Sequence, residues 1–204
     1  MIMSKHQLAI DNSQVPEGYK QTEVGVIPED WEVTTLGEIG QSLIGLTYKP
    51  DDIREYGTLV LRSSNIHSDR LAYEDKVYVD SSLSLPLRVI VEEGDILICV
   101  RNGSRQLIGK CAMIDSVAAG SAFGAFMSVF RTNISGLVFY QFQSDVIKKQ
   151  IKEIMGATIN QITSKDMAAF QIPLPRSDEE QRAIAQTLSD VDGLIAALDK
   201  LIAK

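Results

Sequence analysis

Arg101, Asn102, Ser104, Arg105 and Gln106 crowd into one short stretch, RNGSRQ, directly after the apolar run ILICV. Side chains of these types form paired hydrogen bonds with base edges: arginine with guanine, asparagine or glutamine with adenine, serine or threonine with either. Other segments carry the same chemistry. Arg62, Ser63, Ser64 and Asn65 follow the aliphatic run TLVL, and Thr158, Asn160 and Gln161 lie in GATINQ. Gly45-Leu46-Thr47-Tyr48-Lys49 places an aromatic ring beside a cation, a pairing suited to a sugar-phosphate edge. Lys110, Arg131 and Lys165 add positive charge that would position a nucleic-acid backbone. A solvated turn is the competing reading for each loop taken alone. RNGSRQ is the strongest, because two arginines sit in a polar loop at the end of a buried strand. Lys148, Lys149 and Lys152 read more as the wet face of a helix than as a phosphate clamp.

Other chemistries find no footing. The sequence contains no GxxxxGK[ST] phosphate cradle, no GxGxxG, no GxSxG and no HExxH. The Asp/Asn-Pro-Pro-aromatic tetrapeptide that would grip a base amino group for methylation is also missing. A metal-dependent nuclease using Asp51, Glu74 and Lys76 is an alternative, since two carboxylates and a lysine would hold a metal and activate water. That pattern is loose enough to arise in any acidic chain. Cys99, Cys111, His6 and His67 do not have the spacing of a zinc site, and the apolar neighbours of both cysteines point to buried thiols in a reducing compartment. A disulfide between them stays open.

These loops need a scaffold, and the patterning predicts an α+β one. Strands are expected over Thr58–Leu61, around Val77–Val79, over Ile96–Val100, from Leu107 to Ile114 and up to Phe130. Trp31, the only tryptophan, is expected as a core anchor. Phe139, Phe142, Val146, Ile147, Ile151 and Ile154 keep a three-to-four spacing that predicts one helix from Leu137 to Met155, stopped at Gly156. A short helix is expected to start at Ser164-Lys165-Asp166, and QIPLP to be extended because each proline biases its predecessor away from helix. Ser177 and Glu180 then form a capping-box pair. Behind them Ile184, Leu188, Val191, Ile195, Leu198 and Ile202 recur in heptad steps, a coiled-coil seam rather than a generic amphipathic stripe. The seam is still running at Lys204, so the helix is expected to continue in a longer chain or to meet a second copy.

The net charge of −7 excludes indiscriminate nucleic-acid coating, which works by neutralising phosphates with a basic surface. The charge is uneven, however. Ser84–Ile172 holds nine basic and seven acidic residues, so the acidity lies in the first eighty residues and the C-terminal segment. A neutral-to-basic centre on an acidic chain suits a selective reader assisted by a partner. No apolar run approaches the ~20 residues that cross a bilayer, and MIMSKHQLAI lacks a secretory apolar core, so the cytoplasm is the expected location.

Four segments together resemble the specificity subunit of type I restriction-modification enzymes: YKQTEVGVIPEDWEVTTLGEI (Tyr19–Ile39), EEGDILICVRNGS (Glu92–Ser104), Gly156–Ile162, and IPLPRSDEEQRAIAQTLSDVDGLIAALDKLI (Ile172–Ile202). The last is the most specific. The resemblance implies a mixed target-recognition domain of short twisted strands and helices over residues 18–175, and a long coiled-coil-type spacer helix over 176–204; residues 1–17, polar and aperiodic, are expected to form a flexible arm. It implies that double-stranded DNA is read as one half of a split target. The implied partners are modification subunits, which carry the S-adenosylmethionine chemistry, and restriction subunits; the chain itself has neither cofactor nor catalytic residues. A standard subunit has two recognition domains, so this chain is about half of one, either a natural half that dimerises through its helix or a fragment. A protein-interaction adaptor acting through the heptad helix is the other alternative.

Overall fold

The computed structural model describes residues 15–155 and 160–202. Most of the predicted N-terminal arm, and Thr158 of the GATINQ loop, lie outside them. In chain order the elements are β1 (Tyr19–Thr22), β2 (Gly25–Pro28), β3 (Trp31–Thr35), α1 (Leu36–Ile39), β4 (Gly40–Ile44), β5 (Ile53–Arg54), β6 (Thr58–Leu61), β7 (Ile66–His67), β8 (Arg70–Leu71) and β9 (Tyr78–Val79). There follow β10 (Ile96–Cys99), β11 (Cys111–Met113), β12 (Ala122–Phe123), β13 (Met127–Thr132), α2 (Ser135–Gln143), α3 (Asp145–Ile154), α4 (Ser164–Ala169), β14 (Gln171–Pro175) and α5 (Asp178–Ile202). The architecture is α+β.

The organising layer is an antiparallel sheet in the order β11-β10-β13-β4. Its central strand reads ILIC and is buried throughout, because both sheet faces are covered. Successive side chains point to opposite faces. Ile96 and Ile98 therefore join Phe130, Val138, Phe142, Ile147 and Ile151 under the helices, while Leu97 and Cys99 join Leu61, Ile66, Phe123 and Val129 under the second sheet. That second sheet has the order β12-β6-β9-β5, with β12 parallel to β6. Each large apolar side chain taken fully from water is worth about 1.5–3 kcal/mol, so β10 and β13, with their runs of buried residues, contribute heavily to the core.

The remaining pieces lock the ends. β14 pairs antiparallel with β3, and its prolines are accommodated because this sheet has only two strands. Trp31 is half-buried at that join, and its indole N–H donates to Glu180 Oε1 at 3.1 Å, tying β3 to the first turn of α5. The Glu180 amide donates to Ser177 Oγ at 3.4 Å, the N-cap half of the expected box. Asp95, 3 % exposed, accepts from Arg131 Nε at 2.8 Å and Nη2 at 2.7 Å, and so braces the start of β10 against β13.

Two expectations need correction. The helix predicted from Leu137 to Met155 is two helices, because Ser144 takes an extended conformation (φ −75°, ψ 159°) and its hydroxyl donates to Gln141 O at 2.7 Å. The strand predicted from Leu107 is only Cys111–Met113, because Leu107 and Ile108 lie in a tight turn and Gly109 adopts φ +87°, a conformation that favours glycine. Cys99 and Cys111 are free and buried. Burial pushes both thiols up, Cys111 to about 12, which keeps them protonated.

Candidate nucleic-acid interface

The segments with base-edge chemistry lie far apart in the chain, and the fold brings them together at the C-terminal end of β10. β10 runs on into Val100 and Arg101. The amides of both donate to Phe126 O at 3.1 Å, and the Ile162 amide donates to Val100 O at 2.8 Å. Arg101 also bridges antiparallel to Gln161. The start of RNGSRQ is therefore clamped between the turn before β13 and the segment leading into α4. From there Asn102 Nδ2 donates to Ser63 Oγ at 3.3 Å, and Arg105 Nε donates to Asn160 Oδ1 at 2.7 Å. The 62–65, 101–106 and 160–161 segments make one hydrogen-bonded surface.

The fourth segment joins through glycine. Gly45 passes so close to Gly124 that a Cβ there would lie 2.2 Å from the Gly124 carbonyl oxygen. That approach, and the Leu46 amide donating to Phe123 O at 2.7 Å, bring Thr47 and Tyr48 to a groove shared with Arg62, Ser63, Ser64 and Phe126. Thr47 and Lys49 are exposed and Tyr48 is half-buried.

The members of this surface differ in what they can offer. Arg101 and Gln106 are exposed, and the Arg101 guanidinium lies 5.3 Å from the centre of the Phe126 ring. Ser104 is exposed, with its amide donating to Asn102 Oδ1 at 3.0 Å. Arg62 Nη2 pairs with Asp75 at 2.8 Å, while its buried Nε has no hydrogen-bond partner among the described residues. Lys165 is exposed in the first turn of α4, and Lys110 is half-buried beside Arg105.

Two candidates are occupied internally. Asn65 is fully buried: its Oδ1 accepts from the Arg62 amide at 2.9 Å, and its Nδ2 donates to Ala72 O at 3.1 Å and Asp75 O at 2.7 Å. It shapes the loop and presents nothing to a base. Arg131 is held by Asp95 and by Glu92, at 2.6 Å, and so belongs to the brace of the main sheet.

Phe126 is a residue the sequence reading missed. It is 58 % exposed, because the Met127 amide closes a turn onto Gly124 O at 2.9 Å and throws Ala125 and Phe126 outward. The signal was the small pair Gly124-Ala125 before it, which marks a turn ahead of the strand.

The seam of α5 faces away from the body. The helix packs on α2 and the β7–β8 hairpin through Ala185, Asp192 and Ala196: a Cβ on Gly136 would lie 3.2 Å from Ala185 Cβ, Tyr140 Oη donates to Asp192 Oδ2 at 3.0 Å, and Arg70 Nη2 donates to Asp192 O at 3.1 Å. Ile184 is half-buried, whereas Leu188, Val191, Ile195, Leu198 and Ile202 are exposed, from 38 % at Leu188 to 83 % at Ile202.

Among the described residues no three His, Cys, Asp or Glu side chains are placed to hold a metal ion. Nor is any helix among the described residues long and apolar enough to cross a membrane.

Comparison with known proteins adds an independent line. A family model described as type I restriction modification DNA specificity domain matches residues 28–204. Relatives include the type I restriction enzyme MjaVIII specificity subunit of Methanocaldococcus jannaschii, 28% identical over 185 residues, covering 88% of this chain and 43% of that one. The EcoKI specificity subunit of Escherichia coli K12 is 29% identical over 188 residues, covering 88% of this chain and 39% of that one. The chain thus spans about two fifths of the length of these curated relatives. Among solved structures, the HsdS subunit from Thermoanaerobacter tengcongensis has the same fold, with TM-score 0.62 and 20% identity, covering 91% of this chain and 43% of that one.

Proposed function

The chain belongs to the type I restriction modification DNA specificity domain family, and from that premise we propose that it reads one half of a bipartite DNA target and directs modification and restriction subunits to it. The observation that carries this reading is the convergence of four loops at one end of the sheet, three of them stitched by the Ser63–Asn102, Arg101–Gln161 and Arg105–Asn160 contacts and the fourth brought in by the Gly45–Gly124 approach. Segments with base-edge chemistry that lie more than a hundred residues apart have no reason to share a surface if each is a solvated turn.

In this mechanism Arg101 meets a guanine edge, its guanidinium oriented by the ring of Phe126. Asn102, Ser104, Gln106, Ser63, Ser64 and the segment around Asn160 and Gln161 supply the remaining donors and acceptors. Thr47, Tyr48, Lys49 and Lys165 hold the sugar-phosphate backbone. Residues 18–175 act as the recognition domain and 176–204 as the spacer, whose uncovered seam takes a second helix, in a homodimer or in the remainder of a longer chain. Methylation, with its S-adenosylmethionine, and cleavage fall to partner subunits in the cytoplasm.

The test is selection of bound duplexes from a random library by the full chain together with a modification subunit, at fixed salt. Enrichment of a short motif of a few base pairs is the expected result. An intact complex that enriches nothing refutes the reading and favours an adaptor role for α5.

A further inference from the structure

Beside the reading loops lies a hollow of about 300 Å³ whose lining is unusual for a chain of net charge −7. Four cations stand around it: Arg105 and Lys110 from the segment between β10 and β11, and Lys148 and Lys152 from α3. Ile108, Phe142, Ile151 and Met155 give it an apolar floor, and Gln143 adds a buried Nε2 that has no hydrogen-bond partner among the described residues. One carboxylate shares the lining, Asp69, in the β7–β8 turn. Lys110, Lys148 and Lys152 form no salt bridge with any described residue.

The helical phase makes the arrangement specific. Lys148 and Lys152 are four residues apart, one turn, and share the side of α3 that meets the hollow. Lys149, between them, does not line it. Gly109 sets the floor: its φ of +87° turns the chain, and a Cβ there would lie 2.7 Å from Ile151 Cδ1. The segment between β10 and β11 can therefore lie directly against α3 and bring Lys110 and Arg105 to face the two lysines.

From this geometry we infer that the hollow seats the sugar-phosphate backbone of the DNA flanking the bases that are read, with phosphates on the ammonium groups and deoxyribose over the apolar floor. The inference rests on the proposed DNA-reading function and deepens it. Two points favour this occupant over a small anion. The rim is multiply cationic and spread over two elements, and Arg105 and Gln106 belong to both the hollow and the reading surface. The hollow thus continues the interface, and its lysines supply affinity that carries no sequence information.

The experiment is a salt titration of binding to the selected duplex, by the full chain with its modification subunit, comparing wild type with K148Q/K152Q and with K149Q. Each lost phosphate contact lowers the slope of log affinity against log salt by about 0.9, so the double variant is expected to lose about 1.8 in slope and bind about 60-fold more weakly at 0.1 M salt. The motif it selects should be unchanged, K149Q should match wild type, and K148R/K152R should restore affinity. An unchanged slope for a folded K148Q/K152Q, or an equal loss for K149Q, overturns the inference while the wild-type motif leaves the reading function standing. Failure of the wild-type complex to select any motif overturns both.

Discussion

Removing the Phe126 ring tests whether the reading surface is preorganised or merely polar. The Arg101 guanidinium lies 5.3 Å from the ring centre, and Phe126 is 58 % exposed, so the cation–π contact is a partly solvated one. Such contacts are worth about 0.5–1 kcal/mol, or roughly 2- to 5-fold in affinity. Phe126→Ala leaves intact the carbonyl that accepts from the Val100 and Arg101 amides, so the backbone clamp should persist. If Arg101 reads a guanine, Arg101→Ala should cost about 1–3 kcal/mol on the cognate duplex and relax one base position. Phe126→Ala should cost about 0.5–1 kcal/mol on that duplex and less where the guanine is replaced, because the ring acts through Arg101. The assay is a double-mutant cycle by fluorescence anisotropy on the selected duplex and its base-substituted versions. The expected coupling is about 0.5–1 kcal/mol, and Phe126→Leu, which keeps bulk but not the aromatic face, should behave like the alanine variant. Additivity of the two substitutions within about 0.3 kcal/mol, or equal losses on every sequence, refutes the argument.

Asn65→Ala leaves the Ala72 and Asp75 carbonyls and the Arg62 amide without their side-chain partner in a fully buried position. It should cost about 1–3 kcal/mol and lower Tm by about 2–12 °C, measured by circular dichroism, without shifting base preference in whatever remains folded. For α5, the exposed seam predicts self-association: wild type at tens of micromolar should show twice the chain mass in light scattering, and Ile195→Glu/Leu198→Glu should show the monomer. A wild-type chain that stays monomeric counts against the homodimer.

The parts of the fold that were legible are those in which one physical requirement dominates. ILIC, a short apolar run between a turn and a polar loop, reads as a buried strand, and the two prolines of QIPLP bias it toward extended backbone. The heptad steps of α5 announced a helix whose seam wants another helix, and the structure leaves that seam uncovered because the body uses the small and polar side through Ala185, Asp192 and Ala196. What was not legible depended on competition between neighbours. Ser144 breaks a helix whose apolar periodicity runs straight through it, because its hydroxyl bonds to the Gln141 carbonyl. Asn65 has the side-chain chemistry of a base reader, yet it folds back on its own loop three residues away. Phe126 has the composition of a core aromatic and is turned outward by a single backbone hydrogen bond.

The same limit applies to charge. Lys148, Lys149 and Lys152 are equivalent as residue types, and all three are exposed, as a wet helix face requires. Only the packing of α3 against the Gly109 turn separates the two that border a hollow from the one that does not. Residue type thus motivates the proposed ligand, whereas the division between side chains that are free at the surface and side chains that support the loops is set by tertiary contacts. The proposed DNA reading is compatible with an acidic chain on the same ground: the repulsion of its net charge acts diffusely and is screened within about 10 Å at 0.1 M salt, while Arg105, Lys110, Lys148 and Lys152 are gathered around one hollow.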